Sequence, residues 1–115
     1  MAPSQPNGAD PRSGVLTESR PGVEHAPPRS WRVLLHNDDY TTQEFVVWVL
    51  QTVFGKSTSE ATTIMLHVHH SGVGVAGIYT KEIAETKVAT TERLAEQHEY
   101  PLRVSMEPEP EEGGS

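Results

Sequence analysis

Three consecutive side chains rich in hydrogen-bond acceptors, Asn37, Asp38 and Asp39, follow a short apolar segment and precede Thr41 and Thr42. Carboxylate and carboxamide oxygens are good acceptors for an ammonium group. No activated nucleophile accompanies them, so the stretch indicates binding of a positive amine beside a hydrophobic group rather than covalent catalysis. The plainer alternative is a turn, since Asn and Asp side chains commonly bond to their own backbone.

A second cluster, Met65, Val68 and His69, has the spacing i, i+3 and i+4 that places side chains on one face of a helix. Alone, this pattern is typical of two core residues beside a surface histidine. Together with the acceptor-rich turn, it supplies what recognition of a free N-terminal amine requires. The turn and a neutral imidazole nitrogen would accept hydrogen bonds from the ammonium, and the apolar residues would form a pocket for the adjoining side chain.

His67 and His69, together with Asp39, offer an alternative interpretation as a zinc hydrolase with three ligands and an open coordination position. On a helix, however, residues i and i+2 point about 200° apart, so these two histidines do not converge on one ion. We therefore expect no metal, no cofactor and no enzymatic activity.

Composition narrows the class of protein. The 115-residue chain carries a net charge of −7, and its nine Lys and Arg are scattered rather than striped, which argues against nucleic acid as a partner. No apolar run approaches the roughly 20 residues that span a bilayer, and the first residues lack the pattern of a signal peptide. With zero cysteines, disulfides and thiol chemistry are excluded. We expect a cytoplasmic, monomeric protein of one small domain.

The chain divides into three parts. Residues 1–29 hold six of the nine prolines and few large aliphatic residues, which predicts a disordered N-terminal extension. Residues 30–107 form the predicted core domain, and residues 108–115 an acidic flexible tail. The tail has no predicted function, whereas the extension is either idle or functional.

Periodicity within the core predicts six elements. Capping boxes at Thr41–Glu44 and Ser57–Glu60 open the first two helices, and Thr80 caps the third. In order, the elements are a strand over 31–36, a helix from 41 stopped by Gly55, a helix from 57 to Ser71-Gly72, a strand over 72–79, a helix from 80 to about 98 and a strand over 102–106. Positions predicted to face inward are Phe45, Val46, Val49, Leu50 and Val53 on the first helix, Ala61, Ile64, Met65 and Val68 on the second, and Ile83, Ala84, Val88 and Leu94 on the third.

The order β-α-α-β-α-β, with so few strands, implies an α+β fold. We predict a two-layer sandwich in which a small three-stranded antiparallel sheet is covered on one face by three helices.

The chain also resembles the ClpS family over roughly residues 31–107. The matching motifs are Asn37–Thr41, Glu44–Val46, Ala61-Thr62, Met65-Leu66, Val68-His69, Gly77, Thr80, Ala84–Ala89 and Pro101-Leu102. ClpS proteins are adaptors of the bacterial N-end rule, which bind proteins with an N-terminal Phe, Tyr, Trp or Leu. They hand these N-degron substrates to the AAA+ unfoldase ClpA of the ClpAP protease. The family fold is a small α/β sandwich, in agreement with the layers predicted above.

The resemblance implies a role for individual residues. Asn37, Asp38, Asp39 and His69 would surround the substrate α-amine and first peptide bond. The side-chain pocket would be lined by Leu35, Thr41, Gln43, Val46, Met65, Val68 and Leu102. Glu82 and Lys87 fall where the family contacts the ClpA N-terminal domain, and the N-terminal extension corresponds to a segment needed for delivery rather than binding.

Two positions depart from the family pattern. Where the family commonly has Pro after the motif threonine, this chain has Thr42. Where it usually has an apolar gatekeeper at the pocket mouth, often Met, this chain has Gln43. An amide buries less favourably than a thioether and forms hydrogen bonds that a thioether cannot, so Gln43 bears on which first residue is preferred.

A protein-interaction domain of the same fold that does not bind N-degrons is the remaining alternative. Such a domain would lack the acceptor-rich turn facing the Met-Val-His helix.

Overall fold

Residues 29–110 are described by a computed structural model, in which six elements follow one another with short connections. They are β1 (Trp31–His36), α1 (Gln43–Thr52), α2 (Thr58–Ser71), β2 (Val73–Tyr79), α3 (Lys81–Gln97) and β3 (Arg103–Pro108).

The three strands form one antiparallel sheet with β1 in the centre, β2 on one side and β3 on the other. Leu35 of β1 pairs with Gly74 and with Val104, and a bulge between Val33 and Leu34 shifts the register against β2. Val33 and Leu35 are fully buried because alternate residues of a strand point to one face, and the helices pack on that face. The predicted two-layer α+β sandwich is confirmed.

The start of α1 differs from the prediction. Thr42, not Thr41, is the N-cap, and its hydroxyl accepts a hydrogen bond from the backbone N–H of Phe45 at 3.1 Å. The capping box predicted from Thr41 and Glu44 is therefore wrong. The physical reason is that the Thr41 hydroxyl already donates to the Asp38 carboxylate and is not available to cap the helix.

The second helix begins and ends where the sequence indicates. Ser57 and Glu60 form the predicted reciprocal capping box, which satisfies two backbone N–H groups that a helix start leaves unpaired. Gly72 ends the helix at a φ of +92°, a left-handed conformation that glycine adopts without a steric penalty.

On α3 the buried face consists of Ala84, Thr91 and Ala95, with Val88 and Leu94 packed beside them. Ile83, predicted to face inward, is instead 49 % exposed. It lies next to Ala84, and the step of 100° per residue carries it off the buried face.

The boundaries of the core also shift slightly. β3 continues to Pro108, and the backbone N–H of Glu109 donates to the Ser30 carbonyl at 2.8 Å. The folded part thus extends beyond the boundary predicted at 107, because these residues pair with the start of the central strand. The predicted N-terminal extension, apart from Arg29, and the last five residues of the predicted acidic tail lie outside the described residues.

Candidate functional site

The loop after β1 is joined directly to the end of α2. The backbone N–H of Asn37 donates to the Gly72 carbonyl at 2.9 Å, while the Gly72 N–H closes the helix on Val68 at 2.8 Å. A glycine in the left-handed conformation turns the chain from α2 into β2 at this point, leaving its carbonyl available to Asn37. This contact brings the acceptor-rich loop against the last turns of the helix that carries Val68 and His69.

Asp38 holds the loop in shape. Its Oδ1 accepts from the backbone N–H groups of Tyr40 and Thr41 at 2.8 and 2.7 Å, and its Oδ2 accepts from the Thr41 hydroxyl at 2.7 Å. Burial alone would raise the pKa of Asp38, but these hydrogen bonds outweigh it and leave the pKa below its ordinary value. The carboxylate is thus ionised and occupied by its own turn, so it shapes the loop that carries its neighbours.

The loop, the first two helices and the segment just before β3 enclose one cavity of about 200 Å³. All the residues predicted for the site line it, with the exception of Leu35. From the acceptor-rich loop come Asn37, Asp38, Asp39 and Thr41, from α1 Gln43 and Val46, from α2 Met65, Val68 and His69, and from the segment before β3 Leu102.

The floor and walls of the cavity are apolar. Val46, Met65, Val68 and Leu102 are each less than a tenth exposed, so their side chains are held in place by the packing of the core. They come from α1, from α2 and from the segment before β3, so the cavity depends on the convergence of these three parts of the chain.

The rim of the cavity is polar. Asn37, Asp39, Gln43 and His69 are exposed, and the Asn37, Asp39 and His69 side chains form no hydrogen bond with another residue in the 29–110 region. Asn37 Oδ1, the Asp39 carboxylate oxygens and an unprotonated His69 ring nitrogen are therefore available to accept from a ligand. The two predicted clusters, far apart in sequence, meet at the mouth of one apolar hollow.

The structure differs from the predicted pocket lining at Leu35 and at His36, a residue for which the sequence predicted no role. Leu35, predicted to line the pocket, is fully buried in the core and does not line the cavity. The reason is the alternation of a strand, which points Leu35 into the packed layer between sheet and helices.

His36 lines the cavity but was missed, although it directly precedes Asn37 in the chain. Its Nε2 lies 2.7 Å from the Ser105 hydroxyl of the neighbouring strand. Burial, and secondarily the positive charge of Arg103, lower the pKa of His36, which favours a neutral ring beside the loop. Adjacency to the acceptor-rich loop was the only signal that would have pointed to it.

The two residues predicted to contact ClpA differ in their surroundings. Glu82 is exposed in the first turn of α3. The Lys87 ammonium instead donates to the Val53 carbonyl at 2.7 Å and lies 5.5 Å from the centroid of the Tyr79 ring. Lys87 therefore has a structural role that Glu82 lacks.

Within residues 29–110, the structure brings together no group of three or more His, Cys, Asp or Glu side chains able to hold a metal ion. His69 and His70 stack edge to face at 5.3 Å, but Asp39 and His67 do not complete a ligand set with them. In the same range, no helix has the length and apolar content needed to cross a membrane.

Comparison with known proteins agrees with this geometry. Residues 26–105 match the family model described as "ATP-dependent Clp protease adaptor protein ClpS". The chain is 57 % identical over 97 residues to an ATP-dependent Clp protease adapter protein ClpS of Myxococcus xanthus, covering 84 % of this chain and 91 % of that protein. It is 61 % identical over 95 residues to the protein of the same description from Desulfatibacillum aliphaticivorans, covering 83 % and 89 %.

A solved structure shows the same fold. Agrobacterium tumefaciens ClpS2 bound to L-phenylalaninamide is similar with a TM-score of 0.70 and 37 % identity, over 72 % of this chain and all of that one. The two sequence relatives are of nearly the same length as this chain. The chain therefore belongs to the ClpS family of adaptor proteins of the ATP-dependent Clp protease.

Proposed function

We propose that this adaptor binds the free α-amine and the large hydrophobic first side chain of N-degron substrates, those beginning with Phe, Tyr, Trp or Leu, and delivers them to a ClpA-type unfoldase of the ClpAP protease. The observation that carries the proposal is the convergence of unpaired acceptors and a buried apolar wall on one cavity. The phenylalaninamide bound by the similar ClpS2 protein, with its free amine and aromatic side chain, supports this choice of ligand.

The amine would be held at the rim. An ammonium group has three N–H donors, and Asn37 Oδ1, the Asp39 carboxylate and a neutral His69 nitrogen supply three acceptors around the cavity mouth. Charge-assisted hydrogen bonds of this kind are shorter and stronger than neutral ones. Asp38, whose oxygens are occupied by Tyr40 and Thr41, contributes by fixing the loop, with its negative charge adding to the attraction.

The first side chain would enter the hollow between Val46, Met65, Val68 and Leu102. Burying one large apolar side chain contributes about 1.5–3 kcal/mol. An internal Phe lacks the ammonium, and an N-terminal Asp lacks the apolar group, so neither contribution suffices alone. Selectivity would thus depend on both features at one residue.

Fluorescence anisotropy with labelled peptides tests binding. A peptide beginning with Phe should bind at least about thirtyfold more tightly than its N-acetylated counterpart, because acetylation removes the ammonium. Asp39→Asn should weaken binding of the free peptide, whereas Glu92→Gln, the same charge change at an exposed position of α3 outside the cavity, should not. Equal affinity for the free and acetylated peptides would refute the amine site.

Delivery is tested separately from binding. A variant lacking residues 1–29 should bind the Phe peptide with unchanged affinity and fail to support ClpA-dependent degradation of an N-degron reporter. Glu82→Ala should likewise spare peptide binding and reduce degradation, since Glu82 lies on α3, outside the cavity. Full degradation by both variants would show that neither the extension nor Glu82 takes part in delivery.

A further inference from the structure

A second hollow, of about 290 Å³, adjoins the cavity. Two of its lining residues, Gln43 and Met65, also line the first cavity, so the two spaces share a border. The remaining lining residues, all on α1, are Glu44, Val47, Trp48 and Gln51. These four α1 residues do not line the first cavity.

The α1 residues form a continuous stripe. Positions 44, 47, 48 and 51 follow the spacing i, i+3, i+4 and i+7 and share one face of the helix. The middle of this stripe, Val47 and Trp48, is an apolar surface, with the Glu44 carboxylate at one end and the Gln51 carboxamide at the other.

Trp48 provides most of this apolar surface. It is 38 % exposed, yet its ring is held by Phe45 at 5.6 Å and His98 at 5.2 Å between centroids. A large aromatic ring fixed in this way needs little further ordering when a ligand lies on it. Ordering of side chains is one of the main costs of binding.

Glu44 determines the charge of the hollow. It is exposed and forms no ion pair with any Lys, Arg or His in the 29–110 region, and neither Lys nor Arg lines the hollow. An unpaired carboxylate four residues from the face of a tryptophan suits a side chain with an apolar stem and a cationic end. Arginine fits best, because its guanidinium both stacks on Trp and pairs with carboxylates.

We infer that this hollow is a second subsite of the proposed N-degron site, and that it receives the second residue of the substrate with a preference for arginine. The inference rests on the proposed function, since the first residue must occupy the first cavity. The second residue begins about 3.8 Å from the first, Cα to Cα, and Gln43 and Met65 border both spaces. A third residue would start about twice as far from the pocket mouth.

Peptides that share an N-terminal Phe and differ in the next two positions test the subsite. The series is Phe-Arg-Gly, Phe-Gly-Arg, Phe-Gly-Gly and Phe-Glu-Gly on a common labelled tail. Phe-Arg-Gly should bind about fivefold more tightly than Phe-Gly-Gly, and Phe-Glu-Gly more weakly, as an exposed ion pair and a cation–π contact would give. Phe-Gly-Arg should resemble Phe-Gly-Gly.

Variants then assign the effect to the hollow. Glu44→Gln should remove most of the advantage of Phe-Arg-Gly while leaving the affinity for Phe-Gly-Gly unchanged. Glu92→Gln, which changes net charge equally at an exposed position of α3 outside the hollow, should keep the advantage and so controls for the overall charge of −7. Trp48→Leu, verified as folded by its thermal transition, should also reduce the advantage.

The outcomes separate the two proposals. If Phe-Gly-Gly binds only with a free amine but arginine at the second position gives no gain, the subsite is wrong and the proposed function stands. A gain that persists in Glu44→Gln, or that is larger for arginine at the third position, equally overturns the subsite. If no Phe peptide binds, the proposed function itself fails.

Discussion

The Asp38 carboxylate closes a turn on Thr41, accepting both its backbone N–H and its hydroxyl at 2.7 Å. Because of these two contacts, Asp38 stabilises the acceptor-rich loop, whereas its two neighbours remain available to a ligand. Asn37 and Asp39 lie on either side of a residue that is occupied by the protein itself, and both project at the rim of the cavity.

Asp38→Ala should therefore affect folding as well as binding. Loss of the hydrogen bonds to an ionised carboxylate is expected to lower the free energy of unfolding by about 1–2 kcal/mol. Asp39→Ala should reduce peptide affinity without changing stability, because Asp39 has no such partners. Urea unfolding and peptide anisotropy on both variants check this. A fully stable Asp38→Ala variant would contradict the structural role of Asp38.

His36 should make stability depend on pH. Its pKa is lowered in the folded state, first by burial and then by Arg103, so the unfolded chain binds a proton more readily. Stability should then be complete above the unfolded value of about 6.5 and fall as the pH decreases through the lowered folded value. Unfolding by urea between pH 5 and 8 should show this decline in the natural chain. The decline should be smaller in His36→Gln and unchanged in His70→Gln, whose side chain is exposed. Identical pH profiles for the natural chain, His36→Gln and His70→Gln would show that protonation of His36 does not cause the decline in stability.

Asp38 should make stability depend on pH in the acidic range, below the range in which His36 acts. Its depressed pKa means that the stability it contributes is present above the unfolded value of about 3.9 and is lost as the pH falls through the folded value. Asp38→Asn should thus lose stability at neutral pH and show a flatter profile between pH 5 and 2. A profile as steep as that of the natural chain would assign acid unfolding to other carboxylates.

Gly74 sets how closely β2 approaches α2. A Cβ at this position would lie 2.8 Å from Val68 Cγ2 and 3.1 Å from His67 Cδ2, so Gly74→Ala should push the helix away and cost about 1–3 kcal/mol. Because Val68 lines the cavity, peptide affinity should fall as well. In the double variant Gly74→Ala, Val68→Ala, the clash is relieved, and the destabilisation should be smaller than the sum of the single effects. Strict additivity would show that the two residues do not press on each other.

Thr91 is fully buried, and its hydroxyl has no hydrogen-bond partner among the described residues. A buried polar group without a partner costs about 1–3 kcal/mol. Thr91→Val keeps the shape and removes the hydroxyl, and it should raise the free energy of unfolding by about 1 kcal/mol. Thr86→Val, whose exposed hydroxyl bonds to the Glu82 carbonyl at 3.2 Å, should not raise it. Destabilisation by Thr91→Val would mean that the hydroxyl is satisfied in solution.

Substitutions of Lys87 and Glu82 should have different effects on stability, which matters when their effects on delivery are compared. Lys87→Met removes the hydrogen bond to the Val53 carbonyl and should cost about 1 kcal/mol of stability, whereas Glu82→Ala should leave stability unchanged. The degradation rates supported by Lys87→Met, Glu82→Ala and the natural chain therefore have to be compared at equal concentrations of folded protein. If Lys87→Met is as stable as the natural chain, its contact with Val53 has no energetic weight.

Local patterns in the amino-acid sequence predict the order of helices and strands and the residue types of the site. Capping residues, Gly72 and the spacing of apolar side chains are local signals, acting within a turn or two of helix, and they fixed α2 closely. The pairing of an acceptor-rich loop with a Met-Val-His face, together with the family resemblance, predicts most of the cavity lining.

Tertiary structure alone decided which of those residues do what. The Thr41 hydroxyl donates to the Asp38 carboxylate, so Thr42 rather than Thr41 caps α1. Leu35 points into the core because of strand alternation, and the neighbouring His36 lines the cavity. The second hollow depends on α1 and α2 meeting at Gln43 and Met65, which are 22 positions apart in the chain. Such assignments depend on competition for hydrogen-bond partners and on contacts between distant segments, and a one-dimensional pattern contains neither.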